Sequence, residues 1–117
     1  MPLVTIVAVP PPDSGAARML ADVVEAAAAA LSRDPADVSA RFVAAAAAVT
    51  GTDVETAADQ NPTVTVTTRA QPPETVERTL KAVAAAVASA LSIEPGRVWA
   101  RWDTLQPGTV LADGAMS

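Results

Sequence analysis

Hydrophobic residues follow the same order twice along the chain. Each time a run rich in Val, Ile and Thr comes first, at 3–9 and again at 63–68, and such runs are typical of strands. Apolar residues at steps of three and four then predict a helix with one buried face. A second short β-rich run follows each helix, at 38–43 and at 98–103. The predicted stripes are Leu20, Val23, Ala27 and Leu31 in the first helix, and Val76, Leu80, Val83, Val87 and Leu91 in the second.

Polar residues and prolines indicate where the helices begin and end. The first helix is predicted to begin at Asp13 or Ser14, since both residue types are good N-caps. It is predicted to run to about Ser32. Pro35 and Pro95 then prevent continuation, because the residue before a proline disfavours the α region.

The second half of the chain repeats the first with an offset of 60 residues. Between 2–42 and 62–102, 16 of the 41 aligned pairs are identical without a gap. The abundance of alanine explains some of these matches, but it does not explain why prolines, leucines and arginines fall in one register. Two copies are too few for a solenoid, so the repeat indicates a closed fold with pseudo-twofold symmetry.

Each repeat is a strand, a helix and a second strand, which implies a right-handed βαβ unit with parallel strands. We therefore predict an α/β fold in which tandem βαβ units form a four-stranded mixed sheet with two helices on one face. The linker is expected to contain a short hairpin or turn, with a short helix at 44–49 as the alternative. A single domain over 1–117 is expected, made of repeats 2–43 and 62–103, linker 44–61 and tail 104–117.

Composition narrows the classes of function. The chain has no Cys and no His, which excludes thiolate metal sites, thiol nucleophiles and Ser-His triads. A formal charge of −5 argues against nucleic-acid binding, which needs a basic face. No signal peptide or membrane span is evident, so a cytoplasmic location is the default expectation and no membrane partner or cofactor is expected. Aromatic residues make up only 3% of the chain, and so thin a core predicts association with other copies.

The positions of several residues resemble those of the tautomerase superfamily. A proline follows Met1, a helix of about the family's length comes next, and a second strand begins near position 38. Val66-Thr67-Thr68-Arg69 resembles the arginine-bearing strand end of the malonate semialdehyde decarboxylase and cis-3-chloroacrylic acid dehalogenase branches. The run at 98–103, followed by Leu105 and 110–114, is similar to the C-terminal strand and tail of the dehalogenase branch. The resemblance implies a fused two-unit, 4-oxalocrotonate tautomerase-like chain with a fold of the macrophage migration inhibitory factor type. It also implies a homo-oligomer, a trimer, with its sheets facing inward.

The resemblance assigns Pro2 the role of catalytic proton shuttle. If Met1 is removed, Pro2 becomes a secondary amine, and an α-amino group has a pKa of about 7.7–8.0. Apolar burial and a nearby guanidinium both disfavour the protonated amine and lower that pKa, which suits general base catalysis near neutral pH. The structural alternative is that Pro2 only begins a strand, as Pro62 must. If Met1 is retained, the nitrogen is an amide and this mechanism is lost.

Arg69 is the predicted partner of Pro2. Its repeat mate is Val9, so the shared architecture does not require a charge there. In the related branches the matching arginine binds a substrate carboxylate, which a guanidinium can hold in a bidentate fork. The alternative is a solvated loop charge.

Arg101 and Trp99 are further candidates for substrate binding. Arg101 matches Arg41 in the first repeat, which also suits a structural role such as an ion pair between subunits. Trp99 lies on the opposite strand face from Trp102 and is expected at a pocket or a subunit interface. Asp37 lies one position away from where the decarboxylase branch keeps an acid that cooperates with its proline, but a solvated turn is the favoured interpretation.

Departures from the dehalogenase pattern favour the simplest family reaction. That branch uses a His, a Tyr and a Glu, whereas this chain has no His or Tyr and carries Ala112 where the Glu would be. Gln71 and Pro72 stand where a second arginine is expected. Of the family's reactions, keto–enol tautomerisation of a small 2-oxo or enol carboxylate needs the fewest functional groups, namely a proton shuttle and a residue that binds the carboxylate. The alternatives are a decarboxylase or hydratase-type relative, a non-catalytic small-acid-binding protein, or a ferredoxin-like assembly protein.

Overall fold

The computed structural model describes residues 1–11 and 15–117. The predicted N-caps Asp13 and Ser14 lie outside the described residues. Two single 3₁₀ turns, Pro35–Asp37 and Pro95–Arg97, precede the second strand of each unit. The strands and helices are β1 (Leu3–Ala8), α1 (Ala16–Leu31), β2 (Ser39–Ala44), β3 (Val49–Thr50), β4 (Asp53–Val54), β5 (Thr63–Thr68), α2 (Pro73–Leu91), β6 (Trp99–Thr104), β7 (Leu111–Ala112) and β8 (Ala115–Met116).

A four-stranded mixed sheet has the order β2-β1-β5-β6. Within each repeat the two strands are adjacent and parallel, and the two repeats meet through the antiparallel pair of β1 and β5. Both helices pack against the same sheet face and against each other, so the predicted fold class is confirmed. The ferredoxin-like alternative is wrong, because that fold splits each βαβ unit with another strand between its two strands. The division of the chain into domains stays a prediction.

Alternating residues of the two central strands form the floor of the core. Val4, Ile6, Val64 and Val66 are fully buried because side chains of a strand alternate between faces and these four point toward the helices. From the helices, Met19, Val23, Ala27, Thr79, Val83 and Val87 complete this core.

The buried helix faces are turned slightly from the predicted stripes. Met19 and Thr79 are fully buried, whereas Leu20 and Leu80 are only partly buried at the flank of the core. The buried face of each helix is formed by residues at steps of four that begin at positions 19 and 79, so it lies beside the predicted stripe and not on it. A small threonine at 79 fits there because its hydroxyl donates to the Thr75 carbonyl at 2.7 Å.

Both helices end at equivalent serines in the left-handed conformation. Ser32 has φ 54° and Ser92 has φ 56°, and the following residue in each case donates its N–H back to the carbonyl of Ala28 or Ala88. This geometry is that of a helix C-cap. The helices therefore end three residues before the Asp-Pro and Glu-Pro pairs.

The linker and the tail each form a short hairpin. In the linker, β3 pairs with β4, as β7 pairs with β8 in the tail. The alternative of a helix at 44–49 is wrong, since Ala44 ends β2 and Val49 begins β3 with no helix between them. The residues that follow β2 and β6 make equivalent hydrogen bonds to the first strand of their own unit. The Ala45 N–H donates to the Ala8 carbonyl at 2.9 Å, and the Leu105 N–H donates to the Thr68 carbonyl at 2.8 Å. Among the described residues, no helix is both long and apolar enough to cross a membrane.

Candidate functional site

Pro2 lies immediately before β1 and is fully buried. Its carbonyl accepts the Ser39 N–H at 2.9 Å, which extends the parallel ladder between β1 and β2 by one step. Pro62 has the same position in the second repeat, fully buried, with its carbonyl accepting the Trp99 N–H at 2.9 Å. A buried proline at the start of a strand is therefore part of the shared architecture, and any chemistry peculiar to Pro2 depends on its amino group.

Met1 is joined to the nitrogen of Pro2 by a peptide bond. The Met1 side chain is 78% exposed, and its Sδ accepts a hydrogen bond from the Ser39 hydroxyl at 3.1 Å. While Met1 is present, the Pro2 nitrogen belongs to a tertiary amide without a basic lone pair.

The antiparallel ladder brings Arg69 to the same end of the sheet as Pro2. Leu3 pairs with Thr67, so one further step along this ladder sets Pro2 across from Thr68, the residue before Arg69. Directly opposed residues have Cβ atoms about 4.5–5.5 Å apart. The backbones of Pro2 and Arg69, 67 residues apart in the sequence, therefore lie at the same end of this pair of strands.

The Arg69 guanidinium contacts three oxygens of the tail. Nη1 donates to the carbonyls of Leu105 (3.4 Å) and Gln106 (3.0 Å), and Nη2 donates to the Ser117 hydroxyl at 3.0 Å. All three oxygens are neutral, and within 1–11 and 15–117 no carboxylate forms an ion pair with Arg69. Arg69 is half-buried, and these three contacts hold its guanidinium in place.

Arg101 lies further down the sheet face that the helices leave open. It pairs with Thr65, which pairs with Thr5 and then Arg41, so two arginines flank two threonines across the four strands. Both arginine side chains are exposed. In the described parts of the chain, neither forms a hydrogen bond or an ion pair.

Trp99 lies on the open face at the end of the sheet remote from Pro2. It pairs with Thr63, whereas Leu3, the residue after Pro2, lies at the level of Thr67 and Asp103. Four residues of strand separate the two levels along β6, which is about 13 Å. Within one chain the register therefore places Pro2 and Arg69 at one end of the sheet and Trp99 at the other.

The two tryptophans of β6 occupy opposite faces, as predicted. Trp102 packs against the core, as its repeat mate Phe42 does at the other edge of the sheet, and its buried indole N–H has no partner among the described residues. Trp99 is 74% exposed and lines two cavities. One, of about 360 Å³, is also lined by Thr63, Gly96, Val98, Ala100 and Arg101. The other, of about 320 Å³, is also lined by Thr50, Glu55, Asn61 and Thr63.

A polar cluster beside these cavities was not found from the sequence. The Glu55 carboxylate accepts the Asn61 N–H and the Thr50 hydroxyl, both at 2.7 Å, and these bonds, led by the Asn61 N–H, hold the pKa of Glu55 below its ordinary value. Arg97 forms an ion pair with Asp59 and donates to the Asn61 side chain at 3.2 Å. No motif marks these residues, because the linker hairpin brings them together.

Asp37 lies exposed in the first 3₁₀ turn. The neighbouring Asp34 caps that turn by accepting the Ala36 N–H at 3.0 Å. The position of Asp37 agrees with the solvated-turn interpretation.

Two tandem βαβ units that share one mixed sheet, with a proline before each first strand, define the tautomerase type of α/β fold. No protein-family model and no curated protein sequence matches the chain. Several solved structures, in contrast, are similar to this chain. The R7 fused 4-OT wild-type asymmetric trimer has a TM-score of 0.87 at 13% identity, covering 97% of this chain and 94% of that one.

Two other solved structures are similar over nearly the whole chain. N1, a member of the cis-3-chloroacrylic acid dehalogenase (cis-CaaD) family, has a TM-score of 0.78 at 13% identity and covers 97% of this chain and 82% of that one. Pt0534, inactivated by 2-oxo-3-pentynoate, has a TM-score of 0.78 at 14% identity, covering 98% and 94%. The resemblance to the tautomerase superfamily is confirmed at the level of the fold. Identities this similar do not favour one branch of the superfamily over another.

Proposed function

We propose that this protein is a tautomerase-type enzyme that uses Pro2, freed of Met1, as a proton shuttle on a small 2-oxo or enol carboxylate. The observation that carries this proposal is the register of β1 and β5, in which Leu3 pairs with Thr67, because it places Pro2 and Arg69 at the same end of the sheet. A secondary amine and a carboxylate-binding cation at neighbouring positions are the two groups that such a reaction needs.

The environment of Pro2 suits a neutral amine. Pro2 is fully buried in the chain that carries Met1, and apolar burial and a nearby cation are both conditions that disfavour a protonated amine. The amine then removes a proton from the enol hydroxyl or from the carbon beside the carbonyl and returns it at the other position. Since the chain has no His, Cys or Tyr, this amine is the chief candidate for the base.

Arg69 is the proposed carboxylate ligand. A guanidinium has five N–H donors in a fixed fork, and the tail oxygens engage only Nη1 and Nη2. A substrate carboxylate would use the free donors and replace the weaker neutral contacts with charge-assisted ones. Loss of one such contact costs about 2–3 kcal/mol, roughly 30- to 150-fold in kcat/KM.

A homotrimer is the proposed assembly. The R7 fused 4-OT structure is a trimer, and the open sheet face here carries exposed Val7 and Val43 at 37% and 48%. Association would cover this face, which the helices leave free. A stable monomer found by light scattering at micromolar concentration would contradict the trimer, but it would not contradict the proposed role of Pro2.

The test compares repeat mates. Protein whose loss of Met1 has been verified by intact mass is assayed with phenylenolpyruvate and a 2-hydroxymuconate. Pro2→Ala should lower kcat by about 10²–10⁴-fold, the range of general acid–base catalysis. Pro62→Ala removes an equally buried proline and should leave the activity of the folded protein intact.

Covalent labelling gives a second readout. Pt0534 is inactivated by 2-oxo-3-pentynoate, and we expect the same reagent to add one label at Pro2 of the processed protein but none to Pro2→Ala. Folded, processed protein that neither turns over the enols nor takes the label would disprove the proposal.

A non-catalytic acid-binding protein is the second candidate. It is favoured by the hydrogen bond from the Ser39 hydroxyl to the Met1 sulfur, which suits a chain that keeps Met1. In that case the intact mass includes Met1, and Arg69 alone contributes to ligand affinity.

A further inference from the structure

Pro2 lies between two buried side chains of the neighbouring strands. The registers of β1 with β2 and with β5, continued by one residue, place Pro2 across from Val38 on one side and from Thr68 on the other. These two residues are 8% and 3% exposed, and the even-numbered residues of β1 and β5 are the ones buried under the helices. Because directly opposed residues have Cβ atoms about 4.5–5.5 Å apart, the Thr68 side chain is an immediate neighbour of Pro2.

The surroundings of Pro62 in the second repeat differ from those of Pro2 by one functional group. The corresponding registers place Pro62 between Val98 and Ala8, so the valine is retained and the threonine is replaced. Ala8 is 4% exposed, and an alanine therefore fills this buried position as a threonine does. The fold requires a small side chain here, and the hydroxyl group of Thr68 is present only beside Pro2.

The Thr68 hydroxyl is not used to hold the fold together. Toward the other residues that the structure describes, it neither donates nor accepts a hydrogen bond, since the Leu105 N–H bonds to the backbone carbonyl of Thr68. By contrast, the hydroxyl of the fully buried Thr79 donates to the Thr75 carbonyl at 2.7 Å. A threonine hydroxyl has one donor and two acceptor sites, and at Thr68 these remain available to a group on Pro2.

Removal of Met1 creates such a group. While Met1 is attached, the Pro2 nitrogen belongs to a tertiary amide with no N–H and no basic lone pair, so it offers the Thr68 hydroxyl no hydrogen bond. The neutral free amine has one N–H and one lone pair. When a neighbouring oxygen accepts that N–H, the orientation of the nitrogen is fixed and its lone pair points away from the oxygen.

We propose that Thr68 is a positioning residue whose hydroxyl accepts the N–H of the Met1-free Pro2 amine and so directs the lone pair toward the substrate. The hydroxyl keeps its own proton, and Pro2 remains the group that takes and returns the substrate proton. The catalytic consequence rests on the function proposed for Pro2, whereas the hydrogen bond itself needs only the removal of Met1. Thr68 is buried under the helices of its own chain, so this inference does not depend on which surfaces association covers.

The direct test is the ¹⁵N resonance of the Pro2 amine in substrate-free protein labelled with ¹⁵N-proline. Methionine aminopeptidase removes Met1 if the isolated protein retains it, and intact mass verifies the removal. At fixed pH, Thr68→Val should shift this resonance, because valine has nearly the shape of threonine without the hydroxyl. Thr68→Ser keeps the hydroxyl and should leave the resonance close to its original position. Thr79→Val, which removes a buried hydroxyl bonded within its own helix, should not shift it.

Kinetics with phenylenolpyruvate give the catalytic readout. Thr68→Val should lower kcat about 2- to 12-fold, the value of one hydrogen bond, and should leave KM unchanged because Arg69 still binds the carboxylate. Thr68→Ser should restore kcat, and Thr79→Val should not lower it. Urea denaturation confirms that each variant is folded.

The two readouts separate this inference from the function proposed for Pro2. A shifted resonance in Thr68→Val protein whose parent does not turn over the enol supports the hydrogen bond and contradicts only the proposed function. The inference is overturned if Thr68→Val leaves the resonance unchanged, if Thr79→Val shifts it equally, or if an active enzyme loses no kcat on Thr68→Val. It is also overturned if Thr68→Ser is as impaired as Thr68→Val.

Discussion

Thr5 and Thr65 lie directly opposite each other in the ladder between β1 and β5, although they hold the same position in two different repeats. The neighbouring pairs obey the same rule, since Leu3 faces Thr67 and Val7 faces Thr63. A pseudo-twofold axis therefore passes between the two threonines. Positions at which repeat mates differ chemically, such as Val9 and Arg69, are those that the common fold does not dictate.

The contacts of Arg69 predict that this side chain holds the tail in place. Arg69→Ala removes three hydrogen bonds to residues 105–117, so amide hydrogen exchange in 106–117 should become faster. Arg97→Ala is the matched control at the other end of the sheet, because Arg97 contacts Asp59 and Asn61. It should speed exchange around 55–61 and leave the tail unchanged. Equal effects of both variants on the tail would contradict the prediction.

Met19 is expected to contribute strongly to stability. Its side chain is 1% exposed, and truncation of such a buried methionine to alanine costs about 2–5 kcal/mol. Met116 is 60% exposed, and Met116→Ala should change the free energy of unfolding by no more than about 0.5 kcal/mol. Urea denaturation of the two variants measures the difference. A loss below about 1 kcal/mol for Met19→Ala would show that α1 packs differently.

Glu55 should make stability depend on pH in the acid range. Because its pKa in the folded protein is lowered, the stabilisation is present above the pKa of the unfolded chain and is lost as the pH falls through the folded value. Glu55→Gln should therefore lower stability near neutral pH and flatten its decline below about pH 4.3. Glu94→Gln is the control, since the Glu94 side chain does not cap its turn. Thermal unfolding from pH 3 to pH 7 should separate the two variants.

The left-handed serines predict a stabilising substitution. Ser32 has φ 54°, a conformation that costs a residue with a Cβ about 1–2 kcal/mol, whereas the greater freedom of glycine in the unfolded chain offsets about 0.4–1 kcal/mol of any gain. Ser32→Gly should therefore raise stability by up to about 1.5 kcal/mol. Ala21→Gly, in the exposed middle of α1, should lower it by about 0.5–1 kcal/mol. Urea midpoints that shift in the same direction would contradict the prediction.

The sequence predicted the elements of the fold better than their ends, and β1 shows why. The run of β-branched residues predicts a strand that includes Val9, yet β1 ends at Ala8. The Val9 N–H and carbonyl pair instead with the side-chain amide of Gln60, at 2.8 and 3.0 Å. A bond between residues 51 positions apart leaves no local pattern in the sequence.

For the candidate site, too, only a part could be predicted from the sequence. The proximity of Pro2 and Arg69 requires the antiparallel pairing of β1 with β5, which periodicity alone does not specify. The distance of Trp99 from Pro2 follows from the same register. Residue types could therefore suggest the participants, but the ladder decides which of them share a site within one chain.

The matched hairpins after β2 and β6 have a consequence for the connectivity of the chain. Each unit carries its own hairpin after its second strand, bonded to its own first strand through Ala45–Ala8 or Leu105–Thr68. The link between the units is thus the first unit's counterpart of the tail, and in the described residues the two units also pack through the β1–β5 ladder and the contact of the two helices. Two half-length polypeptides separated between Ala58 and Asp59 should consequently complement each other in trans, as the descendants of a duplicated and fused ancestor would.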